Sequence, residues 1–128
     1  MTENTSNVWF ITGSSRGLGR ALVDAVLAGG HRVVATARNP ASLAPLVERY
    51  GDRVKLVALD VTKPEDAARA VEEAVKAFGR IDVLVNNAGY ANTGSAEDLP
   101  LDDFRAQIDT NFYGVVHVTR AVLPVMRK

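Results

Sequence analysis

The chain has 128 residues, 47% hydrophobic and 23% charged, values that are ordinary for one globular domain large enough to bury a core. Fifteen basic residues balance fifteen acidic ones, which excludes a global attraction to nucleic acid or anionic lipid, and the absence of cysteine excludes disulfides and thiolate metal sites. No apolar run reaches the ~18 residues of a membrane span, and residues 1–8 lack the features of a signal peptide, so we expect a soluble, cytoplasmic domain without a nucleic-acid, membrane or metal partner.

The first predicted strand, Val8–Thr12, leads into a glycine-rich turn with the spacing G-x-x-x-G-x-G. A stripe of apolar residues at helical spacing begins at Leu18, and Gly29-Gly30 ends the helix that it predicts. A strand, a glycine-rich turn and a helix in this order predict an anion site built from backbone N–H groups at the helix N-terminus. The turn lacks the Lys-Ser or Lys-Thr of a P-loop, so a nucleoside triphosphatase is excluded. The motif favours the pyrophosphate of a dinucleotide, and a glycine-rich turn without a ligand is the alternative.

The second predicted strand, Arg32–Ala37, indicates which dinucleotide is bound. An NAD-specific site usually has an acidic side chain at the end of this strand, where it binds the ribose 2′-hydroxyl. Here the strand ends in a neutral Ala37 followed by a cationic Arg38, and Arg16 lies in the glycine turn of the same corner. Two guanidinium groups suit a 2′-phosphate, so the sequence favours NADP(H) over NAD(H). Two solvated surface arginines are the alternative.

The middle of the chain continues the alternation of helices and strands. A second helix is predicted after the Asn39-Pro40 pair, and a third strand, Val54–Leu59, follows it. Asp60 stands at the end of that strand, where it accepts a hydrogen bond from the adenine amine, caps the strand-to-helix turn, or does both. A third helix is predicted to open with the capping-box pattern Thr62–Glu65 and to end at Gly79.

The fourth predicted strand, Ile81–Val85, is followed at residues 86–89 by Asn-Asn-Ala-Gly, which suits a ribose and a nicotinamide against the backbone but also an ordinary turn. A fourth helix is predicted from Leu101 toward the end of the chain, with Pro124 disturbing its last turns. Four β-α pairs in succession predict an α/β fold with a doubly wound, Rossmann-like parallel sheet of strand order 3-2-1-4.

Four features together resemble the short-chain dehydrogenase/reductase family: the TGxxxGxG turn, Asp60 after the third strand, NNAG after the fourth, and Asn111 in the next helix. The resemblance covers essentially the whole chain and implies hydride transfer between NADP(H) and a carbonyl or alcohol substrate. It also implies that Asn111 is the catalytic-tetrad asparagine, which interrupts its helix and helps to position a water in the proton relay. The cofactor residues that the resemblance implies are Gly13, Ser15, Arg16, Gly17, Leu18 and Gly19 for the phosphates and ribose, Arg38 for the 2′-phosphate, Asp60 and Val61 for adenine, and Asn87, Ala88 and Gly89 for the nicotinamide ribose.

The family's other catalytic residues, a serine and a Tyr-x-x-x-Lys, lie beyond the part of the family pattern that this chain matches. No tyrosine here has a lysine four residues on; Tyr113 has His117, on the helix that carries Asn111, where packing is the more typical role. We therefore expect residues 1–128 to form an incomplete Rossmann-like domain, truncated after the fourth strand and fourth helix, with little or no activity alone. The alternatives are a non-catalytic dinucleotide-binding or interaction module and an active site completed by a second chain.

Two apolar surfaces predict self-association. The fourth strand is expected to form an exposed sheet edge, which invites pairing with another chain. The last helix spreads apolar residues around more than one face, as a buried or oligomeric helix does. We expect a homo-oligomer formed through the last helix or the strand edge.

The substrate is not encoded here, because residues 89–100 are expected to supply only one wall of its pocket.

Overall fold

The computed structural model describes residues 6–128, over which strands and helices alternate as the sequence predicts. The strands are Val8–Ile11 (β1), Arg32–Ala37 (β2), Val54–Ala58 (β3) and Val83–Val85 (β4). Within the described range they form a single parallel sheet in the order β3-β2-β1-β4, which confirms the predicted strand order. Residues 1–5, which belong to the segment inspected for a signal peptide, lie outside the described residues.

The helices differ from the prediction in their boundaries more than in their number. Asn39 Oδ1 accepts the Ala41 N–H at 3.2 Å, which confirms the predicted N-cap, but the first turn after it is a 3₁₀ turn. No helix between residues 6 and 128 is long and apolar enough to cross a bilayer. The α-helices of this range are Gly17–Ala28 (α1), Ala44–Tyr50 (α2), Pro64–Phe78 (α3), Leu101–Ile108 (α4) and Gly114–Met126 (α5).

Helices cover both faces of the sheet, each over its own apolar core. On one face, Phe10 of β1 is fully buried in a cluster that includes Val118 of α5 and the apolar side of α3. On the other face, Ile11 is fully buried in a cluster that includes Leu27 of α1. Because successive strand residues point to opposite sides of a sheet, β1 contributes to both cores. The predicted doubly wound arrangement is confirmed.

The register of the strands brings their carboxyl ends to one edge of the sheet. Ile11 of β1 lies beside Ala35 of β2 and Val85 of β4. Beyond β3, the Leu59 N–H continues the ladder by donating to the Ala37 carbonyl at 2.9 Å. The segments that leave these strands, which are the glycine turn, the Asp60 turn and the NNAG loop, therefore start at the same edge.

The start of the third helix is not the capping box that the sequence predicts. Lys63 rather than Thr62 is the N-cap residue of α3, and no side chain caps the helix there. The Thr62 hydroxyl donates to Asp60 Oδ1 at 2.7 Å, and the Thr62 N–H donates to the same oxygen at 3.0 Å. Asp66, in the first turn of α3, accepts the Asp60 N–H at 2.7 Å. The capping-box prediction is therefore wrong, and the same residues fix the turn after β3.

The predicted fourth helix is divided by a π-helical turn, Asp109–Tyr113, between α4 and α5. This irregularity surrounds Asn111, as the family resemblance implies. Pro124 lies inside α5 and removes the N–H that donates to the Arg120 carbonyl in a regular helix, yet the helix continues to Met126. The break in the last helix is therefore at the π turn and not at the proline.

Candidate cofactor-binding site

A cavity of about 940 Å³ opens where the strands end. Every predicted cofactor residue except Gly19 lines this cavity, whereas Gly19 and Asn111 stand outside its lining. The structure therefore brings together residues from four separate segments, one after each strand, that the sequence assigned to one ligand. The lining residues that the sequence did not assign to the cofactor are Ala37, Thr62, Tyr90, Ala106, Asp109 and Thr110.

The glycines of the turn are required for two different reasons, a positive φ angle and a close contact. Gly13 and Gly17 have φ angles of +64° and +61°, a conformation that side chains with a Cβ disfavour. Nothing lies within 4 Å of the place where a Gly17 Cβ would stand, so the turn is open to a ligand at that point. A Cβ on Gly19 would instead overlap Gly13 O and Asn87 Nδ2, so Gly19 lets α1 start directly against the turn. These positions explain the G-x-x-x-G-x-G spacing.

Leu18 does not belong to the buried stripe of α1 that the sequence predicts. Its side chain is 78% exposed and lines the cavity. The reason is its place in the first turn of α1, on the side of the helix that faces the open cavity rather than the sheet. The buried stripe begins further along, with Val23, Val26 and Leu27.

Thr12, at the end of β1, joins the glycine turn to the NNAG loop. Its hydroxyl oxygen accepts the N–H groups of Asn87 at 3.0 Å and Ala88 at 2.9 Å. The Asn87 side-chain amide donates to Gly13 O at 3.1 Å, which adds a second connection. Thr12 is fully buried, and the sequence analysis did not assign it a role. A polar residue that ends an apolar strand is the signal that indicates such a role.

Ser14 holds the same turn against β2. Its hydroxyl donates to Ile11 O at 2.8 Å, and its N–H donates to Thr36 O at 2.9 Å. The Thr36 hydroxyl also donates to Ile11 O, at 3.2 Å. Ser14 is thus a buried structural residue, whereas its neighbour Ser15, which the sequence analysis assigned to the cofactor, lines the cavity.

Asp60 is held as a carboxylate at the wall of the cavity. Its Oδ1 accepts the Thr62 hydroxyl at 2.7 Å and the Thr62 N–H at 3.0 Å. The bond from the Thr62 hydroxyl, supported by the Thr62 N–H and the positive charges of Lys63 and Arg38, lowers the pKa of Asp60 despite partial burial. Its Oδ2 has no hydrogen-bond donor among residues 6–128, so this oxygen is free to accept one from a ligand.

Arg16 and Arg38 lie on the cavity with exposed side chains. Neither forms an ion pair with any carboxylate in the described range. Arg16 is also the N-cap residue of α1, so its guanidinium extends from the point where the helix presents its unpaired N–H groups. The two cations and the positive end of the α1 dipole therefore act on the same side of the cavity.

Asn111 fastens the π turn to the loop after β4. Its Oδ1 accepts the Tyr90 N–H at 2.9 Å, and its Nδ2 donates to Tyr90 O at 2.6 Å. A Cβ on Gly89 would stand 2.8 Å from Asn111 Oδ1, so the absence of a side chain at Gly89 permits this approach. The structure thus shows Asn111 holding the loop that carries the predicted nicotinamide-side residues.

Tyr113 and His117, four residues apart in the sequence, have neighbouring rings. The two rings stack with centroids 6.5 Å apart. His117 Nδ1 also lies 2.8 Å from the carbonyl oxygen of Val61, which lines the cavity, and the sequence did not indicate this contact. Within residues 6–128, no three His, Asp or Glu side chains are grouped as the ligands of a metal ion.

The sequence profile of the short chain dehydrogenase family matches residues 7–128. The chain belongs to this family. Oxidoreductase BOA17 from Botryotinia fuckeliana is 53% identical to it over 124 residues, which cover 96% of this chain and 45% of that protein. The chain spans about half the length of the curated relatives that it matches.

Solved structures of the family superpose closely on this chain. A short-chain dehydrogenase from Streptomyces avermitilis gives a TM-score of 0.91 at 39% identity, over 96% of this chain and 45% of that one. A 3-ketoacyl-(acyl-carrier-protein) reductase from Brucella melitensis, solved with NADH, gives 0.87 at 34% identity, over 93% and 49%. An alcohol dehydrogenase from Thermococcus sibiricus, solved with 5-hydroxy-NADP, gives 0.89 at 31% identity, over 95% and 54%. Family membership therefore implies a nicotinamide dinucleotide cofactor, of either phosphorylation state.

The donors and charges around the cavity fit such a cofactor. The open space at Gly17 faces the N-terminus of α1, where backbone N–H groups bind phosphate. Asp60 offers an acceptor for an exocyclic amine, and Arg16 and Arg38 offer cationic donors. These groups match the phosphates and the exocyclic amine of a dinucleotide.

Proposed function

We propose that this chain is the cofactor-binding part of an NADP(H)-dependent oxidoreductase that acts on a carbonyl or alcohol substrate. The observation that carries the proposal is the convergence on one cavity of the α1 N-terminus, the Asp60 carboxylate and two arginines without carboxylate partners. The bound dinucleotide supplies or accepts the hydride. The residues of this chain bind the cofactor and orient it.

The glycine turn and the two arginines are proposed to bind the phosphate groups of the cofactor. The pyrophosphate is proposed to lie over Gly17, against the N–H groups at the start of α1, where the helix dipole favours an anion. Arg16 and Arg38 are proposed to bind the ribose 2′-phosphate through charge-assisted hydrogen bonds. The absence of an acidic side chain at the end of β2 supports NADP(H), because a carboxylate at that position repels the phosphate.

The turns after β3 and β4 are proposed to bind the two ends of the dinucleotide. Asp60 and Val61 are proposed to bind the adenine, with Asp60 Oδ2 accepting from its amine. Asn87, Ala88 and Gly89 are proposed to lie along the nicotinamide ribose. Asn111 keeps that loop in place through Tyr90, and this role supports its assignment to the family's catalytic tetrad.

The proton donor of the reaction is proposed to come from outside these 128 residues. Reduction of a carbonyl needs an acid near the substrate oxygen, and the family uses a Tyr-x-x-x-Lys for this step. No tyrosine of this chain has a lysine four residues on. The chain alone is therefore expected to bind cofactor and to turn over little or no substrate.

A titration of the purified chain with NADPH, and separately with NADH, tests the cofactor assignment through cofactor fluorescence. We expect saturable binding with a lower Kd for NADPH. The Arg38→Ala variant should weaken NADPH binding by roughly 10- to 100-fold, since a charge-assisted hydrogen bond is worth about 1.5–3 kcal/mol, and should leave NADH binding unchanged. Arg120→Ala, on the exposed side of α5, is the matched control. Equal affinities for both cofactors overturn the 2′-phosphate assignment, and binding of neither overturns the proposed function.

A non-catalytic dinucleotide-binding module is the second candidate, favoured by one observation. None of the 128 residues forms the Tyr-x-x-x-Lys pair that the family uses for proton transfer. The gene sequence after codon 128 separates the two candidates. An in-frame continuation that encodes Tyr-x-x-x-Lys supports the oxidoreductase, and a stop codon supports the module.

We further propose that the chain self-associates through the surface of α4 and the π turn. Ile108 is 52% exposed and Phe112 is 58% exposed, high values for large apolar side chains on a helix. β4 pairs with β1 along one side, and no described strand covers its other side, so the strand edge is the alternative surface.

A further inference from the structure

We propose that His117 is a positioning residue for the adenine side of the cofactor site; this inference rests on the proposed function. His117 lies on α5, and its Nδ1 is 2.8 Å from the Val61 carbonyl oxygen, 56 residues earlier in the chain. A carbonyl oxygen only accepts hydrogen bonds, so Nδ1 carries the proton and donates it. The contact joins the helix after the π turn to a residue that lines the cavity.

Val61 lies beyond the end of β3, so its position is set by contacts with α5 rather than by strand pairing. The last ladder bond beyond β3 is made by Leu59, whose N–H donates to Ala37 O. Asp60 is fixed through its side chain by Thr62 and through its N–H by Asp66. For the Val61 carbonyl, the donor in the described range is His117.

The side chain of Val61 is held by the same helix. A Cβ on Gly114 would stand 2.6 Å from Val61 Cγ2, so Val61 packs directly against the backbone of α5. Gly114 and His117 lie about one helical turn apart. Gly114 contacts the side chain of Val61, and His117 binds its carbonyl oxygen. Val61 is only 8% exposed as a result. The wall that receives the adenine is therefore set by α5 as well as by the end of β3.

The His117 ring is itself oriented. Tyr113 lies one turn earlier on the same face, and the planes of the two rings are inclined by 28° with centroids 6.5 Å apart. Loss of the Nδ1 donor leaves a partly buried carbonyl without its partner, and the peptide at Val61 is then free to turn. This change affects the adenine side of the cavity and leaves the NNAG loop on the nicotinamide side unaltered.

Three variants separate the hydrogen bond from packing. His117→Phe keeps an aromatic ring beside Tyr113 but has no donor, and His117→Ala removes both. His117→Asn restores a donor, because the Asn Nδ2 stands at the same number of bonds from Cα as the His Nδ1. Each purified variant is titrated with 2′,5′-ADP, which carries the adenine side of the cofactor, and with reduced nicotinamide mononucleotide, which carries the other side.

We expect the Phe and Ala variants to bind 2′,5′-ADP roughly 3- to 10-fold more weakly than the wild type, the range of one net hydrogen bond. The Asn variant should bind it within about 2-fold of the wild type on the same scale, and all of them should bind the mononucleotide unchanged. Wild-type affinity in the Phe variant, failure of Asn to restore binding, or equal losses for both probes overturns the proposal. If the wild type binds neither probe, the result contradicts the proposed function on which this inference rests.

A measurement on the wild type does not depend on whether the variants fold. Nitrogen-15 NMR of the His117 ring at a pH where the ring is neutral reports which nitrogen carries the proton. The proposal requires the Nδ1–H tautomer, and predominance of the Nε2–H tautomer overturns it.

Discussion

Gly19 is constrained by its contacts rather than by its backbone angles. Its φ is not positive, unlike those of Gly13 and Gly17, yet a Cβ there would overlap Gly13 O and Asn87 Nδ2. Those two atoms are hydrogen-bonded to each other and hold the glycine turn to the NNAG loop. A methyl group at position 19 therefore affects the glycine turn and the NNAG loop together.

The Gly19→Ala variant is expected to lose both stability and cofactor binding. Overpacking a close contact typically lowers the free energy of unfolding by about 1–3 kcal/mol, and displacement of Gly13 and Asn87 reshapes the cavity. Gly30→Ala is the matched control, because Gly30 has a φ of +91° and open space, at the far end of α1 from the cavity. Its strain should lower stability by about 1 kcal/mol without changing affinity. Urea unfolding and NADPH titration measure both quantities, and undiminished NADPH affinity in Gly19→Ala contradicts the prediction.

Candidate residues that lie where a strand ends could be identified from the sequence, whereas contacts that cross the fold could not. The glycine turn, the pair of arginines and Asp60 are recognisable because each lies where a strand ends. The bond from His117 to Val61 joins residues 56 apart, and no local pattern indicates it. The capping-box prediction at Thr62 was wrong because α3 begins one residue later than the pattern indicates, with Lys63 as its N-cap residue.

At the scale of elements, β4 is the shortest strand, and a side chain reinforces its attachment to β1. Asp82, just before β4, accepts the Val8 N–H with its Oδ2 at 2.8 Å, and its own N–H donates to Val8 O at 2.9 Å. Arg80 donates to the other carboxylate oxygen at 2.6 Å. Burial works against the charged form, but the bonds from Val8 and Arg80 prevail, and the pKa of Asp82 is lowered.

The lowered pKa of Asp82 predicts a pH-dependent contribution to stability. As the pH falls, the unfolded chain takes up the proton near the ordinary Asp pKa of about 3.9. The folded chain takes it up only at a lower pH, so protonation favours unfolding. The contribution is therefore complete above about pH 5 and is lost as the pH falls through the folded-state pKa. Asp82→Asn should lower the free energy of unfolding by about 1 kcal/mol at pH 7, and the difference should shrink below about pH 4.

Urea unfolding of the wild type and of Asp82→Asn between pH 3 and pH 7 measures this dependence. Asp52→Asn removes one exposed carboxylate and serves as the control, with an expected effect within about 0.5 kcal/mol at pH 7. A difference between Asp82→Asn and the wild type that is constant over the whole pH range contradicts the role assigned to the carboxylate.

At the scale of the whole molecule, the two faces of the sheet are covered but the outer surface near the π turn is not. A groove of about 290 Å³ between α4 and the π turn is lined by Phe104, Ile108 and Tyr113, with Arg105 and Asp109 beside them. Phe112 and Tyr113 form an edge-to-face pair with ring centroids 5.1 Å apart. A contiguous exposed apolar surface of this kind is typical of an interaction site.

The prediction for this surface is that Ile108→Arg reduces self-association of the purified chain. Placing a charge among apolar side chains at an interface leaves it unpaired and desolvated, which typically costs several kcal/mol, so the Kd of association should rise at least about 10-fold. Val47→Arg is the matched control, because Val47 is 43% exposed on α2, away from the π turn. Sedimentation velocity over a range of concentrations measures both. An oligomer that persists in Ile108→Arg excludes the α4 surface and directs attention to the side of β4 that no described strand covers.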